Sequence, residues 1–194
     1  MNSLQAPLII LLMLVPYILL TLRSLGYLSG LGPNPVETII HETGLWGIRF
    51  LMLTLLVTPI AYYSGIGVIA KLGKPVGLMA FFYVLNHFLS YAMIDQAGDI
   101  GVVIIDIIET PYLIVGWGGF LCLFGVASVS FKRLENWFSQ NRSTISGLVY
   151  TATILGVWHF YWQAKVMDIE SVIYSIILTL LIIWRFQVTT NRKL

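Results

Sequence analysis

Three histidines carry most of the chemistry this sequence offers. His87 stands in VGLMAFFYVLNHFLSYAMI and His159 in GLVYTATILGVWHFYWQ, both inside long apolar runs. An ionisable side chain in such a run is costly to place in a bilayer and needs either a partner or a task. Each lies near the end of its run that reaches the same side, about seven residues in for His87 and about four for His159, or roughly 6–10 Å at the helical rise. Two neutral imidazoles at matching depth on two helices can clamp one planar metal macrocycle, as axial ligands of haem iron do. They suit zinc poorly, because zinc takes three or four protein ligands. The plainer reading stays open on spacing alone: two helix-packing histidines, each satisfied by a neighbour's carbonyl.

His41 lies in IIHETG, just ahead of the second apolar run. It reads as a loop residue beside a helix start, with Thr43 as the cap, or as a cofactor contact. Arg49, about one turn into that run, would either snorkel outward or pair with a carboxylate such as a haem propionate. Gly116, Gly118, Gly119 and Gly125 read as close helix packing. Trp117, Trp158, Trp162 and Trp184 read as an aromatic belt or core. The stretch Gly65-Ile66-Gly67-Val68-Ile69-Ala70 fits a dinucleotide pattern but has no strand–turn–helix around it, so it is taken as chance. No Ser/His/Asp or paired-carboxylate constellation is legible. One cysteine excludes a disulfide framework, a thiolate zinc site and an iron–sulfur cluster.

Composition names the elements that must position these residues. Of 194 residues, 58% are hydrophobic and 10% charged, against about 25% charged in a soluble domain. A net charge of +2 is too small for a phosphate-tracking surface, which excludes a nucleic-acid partner. The sequence therefore reads as a single all-α, polytopic domain over 1–194 in the lipid bilayer. Six apolar runs fit spanning helices of about 20 residues: 7–22, 44–63, 76–94, 111–129, 147–163 and 171–186. The first has no basic leader and no small-residue cleavage site, so it reads as a span. The stretch 98–108, interrupted by Asp99 and Asp106, reads as interfacial or re-entrant. With six spans, Lys71, Lys74, Lys132, Arg133, Arg142, Arg185, Arg192 and Lys193 share the side of both termini, while Glu135 is the one acid there. Arg23, Arg49 and Lys165 fall on the other side with eight acids, Asp168 among them. The basic excess puts both termini in the cytoplasm.

The chain resembles the haem-binding membrane subunits of bacterial periplasmic methionine-sulfoxide reductase systems, in the ferric-reductase-like transmembrane family. The resemblance runs from about Gly30 to Phe186. It rests on Gly32-Pro33-Asn34-Pro35-Val36, His41-Glu42-Thr43-Gly44, Leu53 to Pro59, Leu85-Asn86-His87, Ser90-Tyr91, Pro111-Tyr112, Leu148-Val149-Tyr150 and His159-Phe160-Tyr161-Trp162. It implies a six-helix bundle of ferric-reductase-like type in the bacterial inner membrane. It also implies b-type haem, an association with flavin (FMN), and electrons drawn from the quinone pool and passed to a periplasmic molybdopterin subunit that repairs oxidised methionine. On this resemblance His87 and His159 carry over as haem-iron ligands and His41 as a motif histidine. Three positions depart from the pattern. Ser146 stands where family members usually carry another histidine. Gly73-Lys74-Pro75 replaces a basic cluster, and Thr110 replaces a basic residue. The first departure implies one haem in place of two.

The leading reading is thus an electron-transfer component of an oxidoreductase, not itself the substrate-reducing subunit. The alternative is a haemless anchor or scaffold of the same fold. A ferric reductase would need a dinucleotide-binding domain that this sequence does not contain. The charge partition makes a direct prediction: alkaline phosphatase fused after Leu194 stays inactive, whereas an active periplasmic fusion would overturn the six-span topology.

Overall fold

Local signals start and stop the helices that the apolar runs fill. In the computed structural model, which describes residues 5–130, 140–163 and 169–191, the order is α1 (Gln5–Ser24), α2 (Pro35–Ser64), a single turn α3 (Gly67–Ala70) and α4 (Gly73–Ser90). A π-helical turn (Tyr91–Asp95) extends α4, and α5 (Ile100–Glu109), α6 (Pro111–Val129), α7 (Arg142–Gln163) and α8 (Ile169–Asn191) follow. No strand occurs among the described residues. Lys132, Arg133, Glu135, Lys165, Asp168, Arg192 and Lys193 of the charge partition lie outside the described residues.

The second helix is longer than the apolar run. Asn34 caps it, its Oδ1 accepting from the Glu37 amide at 3.3 Å and its Nδ2 donating to Glu37 Oε2 at 2.9 Å. Pro35 fills the first helical position, where a missing N–H costs nothing. Helix α2 therefore begins nine residues before the expected start at 44 and takes His41 with it. It stops at Gly65, whose φ of +68° is the left-handed conformation that closes a helix C-terminus. The short stretch set apart from the spans forms helix α5, capped by Asp99, whose Oδ1 accepts from the amides of Gly101 and Val102. Asp106 ties it down, accepting from the Tyr91 hydroxyl at 2.5 Å and from the Thr110 hydroxyl at 3.0 Å.

Among the described residues, five helical segments are long and apolar enough to cross a membrane: Pro7–Ser24, Pro35–Ser64, Gly67–Asp95, Pro111–Val129 and Ile169–Thr190. The remaining long helix, α7, has 22 residues but misses on hydropathy, because threonines and an aromatic outer turn with His159 dilute its aliphatic residues. The outward faces carry many large apolar side chains: Leu12 is 70% exposed, Leu180 60% and Leu121 50%. Water would not tolerate such a surface, whereas lipid does.

Helices α2 and α4 form one tightly packed antiparallel pair and α6 and α7 a second, with α8 against α2 and α7. The innermost contacts use small residues and self-satisfied hydroxyls. Ala80 and Ala152 are fully buried, and buried Thr153 donates to Val149 O at 2.7 Å. This is how helices approach closely without a water-driven hydrophobic term. Helix α1 docks through two tyrosine hydroxyls, that of Tyr17 donating to Asn86 Oδ1 at 2.9 Å and that of Tyr83. Pro16 interrupts its ladder, and the buried Tyr83 hydroxyl enters the gap, accepting from the Tyr17 amide at 3.0 Å and donating to Met13 O at 3.0 Å. Tyr83→Phe leaves both backbone groups unpaired in a dry setting, at a cost of about 1–3 kcal/mol. The variant should unfold at a lower temperature in detergent, and an unchanged midpoint would show that the bridge carries no stability.

Candidate functional site: a paired-histidine clamp

The two intramembrane histidines meet. The rings of His87 and His159 lie 6.2 Å apart, centre to centre, with their planes at 77°. Each is held in the same way. Nδ1 of His87 is 2.8 Å from the carbonyl oxygen of Ile40, and Nδ1 of His159 is 2.7 Å from that of Tyr112. A carbonyl only accepts, so each Nδ1 carries the proton and each Nε2 keeps its lone pair. That is the tautomer a metal-binding imidazole needs, with its second nitrogen anchored by a backbone oxygen.

Glycine makes the anchoring geometry accessible. Four residues beyond each acceptor carbonyl stands a glycine, Gly44 after Ile40 and Gly116 after Tyr112. A Cβ at Gly44 would come within 2.8 Å of His87 Nδ1, and one at Gly116 within 2.8 Å of His159 Nδ1. In a helix the carbonyl of residue i already bonds the amide of residue i+4. Removing the side chain at i+4 lets an imidazole from the next helix reach the same oxygen. One turn further on, a Cβ at Gly47 would press on Val84 at 2.8 Å, and one at Gly119 on Ala152 O at 3.4 Å, so both pairs stay close along their length.

The two halves repeat one device. The chain separation from carbonyl to histidine is 47 in each case. Gly44, Gly47, Ala80 and His87 recur at one constant offset as Gly116, Gly119, Ala152 and His159. The sequence reading took Gly116 and Gly119 as packing residues, and Gly119 is one. It missed Gly44 and Gly116 as the seats of the histidine rings. The signal was present in the doubled pattern: Gly-x-x-Gly twice, and Ala followed seven residues later by His twice.

The ring separation fits a metal between two imidazoles. Bonds of roughly 2.0–2.1 Å on each side, plus about 1 Å from each nitrogen to its ring centre, add to about 6 Å. Tyr112 is 5.7 Å from His159, and Phe88, the residue after His87, packs with Trp117 and Phe120 in a cluster with ring centres 5.0–5.2 Å apart. No group of three or more histidine, cysteine or carboxylate ligands occurs among the described residues.

The other expected residues fall nearby in different settings. His41 is within α2, not in a loop, because Asn34 and Pro35 start the helix early. It is exposed, and its ring lies 6.2 Å from Phe160. Thr43 is not a cap. It is buried within α2, its hydroxyl donating to Ile39 O at 2.7 Å and Ile40 O at 2.9 Å. Arg49 has a carboxylate partner within the chain: its Nη2 is 3.6 Å from Glu170 Oε1, its Nε donates to the Tyr174 hydroxyl at 3.1 Å, and its guanidinium lies 4.7 Å over Trp46. Trp158 and Trp162 stack on each other at the exposed surface, while Trp184 lies at the opposite end of the bundle against Tyr62 and Tyr63. Ser146 is also at that opposite end, its hydroxyl taken by Arg185.

Fold and site together define an all-helical, apolar bundle with two carbonyl-anchored imidazoles side by side between two helix pairs. No protein-family profile matches the chain, and no solved structure does. Curated relatives do. The chain is 36% identical over 161 residues to the protein-methionine-sulfoxide reductase heme-binding subunit MsrQ of Brucella anthropi, covering 83% of this chain and 73% of that protein. It is 37% identical to the same-named proteins of Brucella ovis and Brucella canis over the same shares. The chain belongs to the MsrQ family.

The Arg49–Glu170 pair is partly exposed, so its net contribution is small, about 0–1 kcal/mol. Glu170→Gln should therefore leave the unfolding midpoint nearly unchanged. A large drop would mean that Arg49 depends on this carboxylate to stay where it is.

Proposed function

We propose that this chain is a six-span haem b subunit that carries electrons across the bacterial inner membrane to a periplasmic methionine-sulfoxide reductase partner. The observation that carries the reading is the neighbouring pair of imidazoles, His87 and His159, with ring centres 6.2 Å apart, each with Nδ1–H on a backbone carbonyl and Nε2 left to bind a metal. Bound there, haem supplies one-electron chemistry at a potential tuned by its axial ligands and burial. The chain's own residues do the rest. Ile40 and Tyr112 fix the tautomers, and Gly44 and Gly116 admit the rings.

Several finer features complete the proposal. Helix α7 acts as the sixth span, since it is 22 residues long and lies among helices that are apolar enough to cross. Both termini are cytoplasmic, so the histidine end faces the periplasm. All three histidines in the sequence, His41, His87 and His159, lie at that end, which supports one haem and leaves the opposite end without an imidazole ligand. Electrons then come from the quinone pool or through FMN, and leave toward a molybdopterin-bearing partner. Exposed His41 suits a contact with that partner or with a haem propionate. Arg49 suits a propionate only in competition with Glu170.

His87→Ala and His159→Ala should each abolish or severely reduce haem per protein while leaving membrane insertion intact, since insertion depends on apolar length. Gly44→Ala and Gly116→Ala should lower haem content by displacing the rings. Gly125→Ala, which meets nothing within 4 Å, should not. His41→Ala should have a smaller effect than either clamp variant. Pyridine haemochrome absorbance against protein should give a ratio near one for the wild type. A ratio near two would remove the single-haem reading, and full haem content in His159→Ala would remove the clamp.

A further inference from the structure

At the end of the bundle away from the histidines, helices α2, α4, α6, α7 and α8 enclose a cavity of about 600 Å³. Its depth is apolar, walled by Leu51, Leu55, Phe81, Leu123 and Val149. Its mouth carries Lys74, Arg142 and Arg185, and no Asp or Glu is among the described residues that line it. Lys74 sits in the first turn of α4 and Arg142 opens α7. Two helix N-termini thus turn the positive ends of their dipoles toward the same mouth. Arg185 is fixed there by the Ser146 hydroxyl and by the Tyr150 ring, 4.5 Å beneath its guanidinium.

A second feature gives the shape of what would bind. An apolar groove runs between α2 and α8, bounded by Leu56, Pro59, Ile60, Leu180 and Leu181, and Trp184 lines both groove and cavity. The indole is held at this junction by its N–H bond to the Tyr63 hydroxyl at 3.1 Å. Charge at the mouth calls for an anion, and the groove beside it calls for an apolar chain.

We propose that the cavity and groove form a binding site for an anionic phospholipid, with its phosphate at Lys74, Arg142 and Arg185 and an acyl chain along the α2–α8 groove. Phosphate oxygens match the paired donors of arginine. An acyl chain gains little by leaving its neighbours in the bilayer for an equally apolar groove. Headgroup charge therefore sets the affinity, and the groove sets which kind of phosphate compound fits. The site is independent of the histidine clamp, so lipid retention and haem content can be read separately on the same samples.

Native mass spectrometry of protein purified from a mixed zwitterionic and anionic membrane tests this. The wild type should retain an anionic phospholipid. The double variant Lys74→Gln/Arg142→Gln should lose it by about tenfold or more, since both changes remove charge-assisted contacts. Ile60→Trp, which fills the groove and leaves the cations, should lose it as well, with haem absorbance unchanged in both variants. Equal retention of the two lipid classes by the wild type, or undiminished retention in the double variant, would reduce the adduct to surrounding lipid and overturn the site. Tight binding of inorganic phosphate or flavin mononucleotide to wild type and Ile60→Trp alike would assign the mouth to a soluble phosphate compound and also overturn it. Should the variants not fold, delipidated wild type decides. Its unfolding midpoint should rise with anionic phospholipid vesicles and not with zwitterionic ones, and equal responses would contradict the proposal.

Discussion

The hydrogen bond from a histidine Nδ1–H to the backbone carbonyl of a neighbouring helix governs this structure. It satisfies a polar ring where water cannot, and so removes the penalty that would otherwise keep histidine out of a span. It also fixes the tautomer and leaves Nε2 bare. Satisfying the bond requires the neighbouring helix to be close enough to offer an oxygen already used in its own ladder. Gly44 and Gly116 meet that requirement, and the small contacts at Gly47, Ala80, Gly119 and Ala152 extend it along both helix pairs. The demands of two half-buried polar rings, one in each helix pair, thus determine the approach of four helices.

The two ends of the bundle divide the chemistry. One end gathers every histidine, with the Phe88–Trp117–Phe120 cluster and the Arg49–Glu170–Tyr174 contacts. The other gathers Lys74, Arg142 and Arg185 around a cavity whose depth is apolar. This polarity follows from the helix directions: α4 and α7 run toward the histidines, so their N-termini, with their cations and dipoles, converge at the far end. Ser146, on the first turns of α7, sits among those cations and is bonded to Arg185. It therefore belongs to the charged end and not to a second imidazole pair.

Much of this was legible in the sequence because lipid imposes long apolar runs. The expected span 111–129 matches α6 residue for residue, and the separate short stretch at 98–108 matches the bounds of α5 to within two residues at its start. His87 and His159, singled out in the sequence for their matching position near the same end of two apolar runs, lie with their rings 6.2 Å apart. The start of α2 was misread although Asn34-Pro35-Val36-Glu37 carries a capping box with proline at the first helical position. The apolar run begins only at Gly44, and hydropathy outweighed the cap. That error placed His41 in a loop and made Thr43 a cap. The seats at Gly44 and Gly116 were harder to read. A glycine in an apolar helix announces close approach, but only the partner helix says what approaches. The docking of α1 through Tyr83 was not legible either, because it depends on which tyrosine faces the break made by Pro16.

The central proposal is that His87 and His159 would together hold one haem, their ring planes kept nearly perpendicular by separate carbonyls. Low-temperature electron paramagnetic resonance of the oxidised, haem-loaded protein tests it most directly, because the signal of a low-spin ferric haem depends on the angle between its axial imidazoles. With the rings at 77°, the account predicts a strongly anisotropic low-spin signal with one large g value, lost on replacing either histidine with alanine. A high-spin signal from the wild type, or a low-spin signal that persists unchanged in His159→Ala, would contradict it.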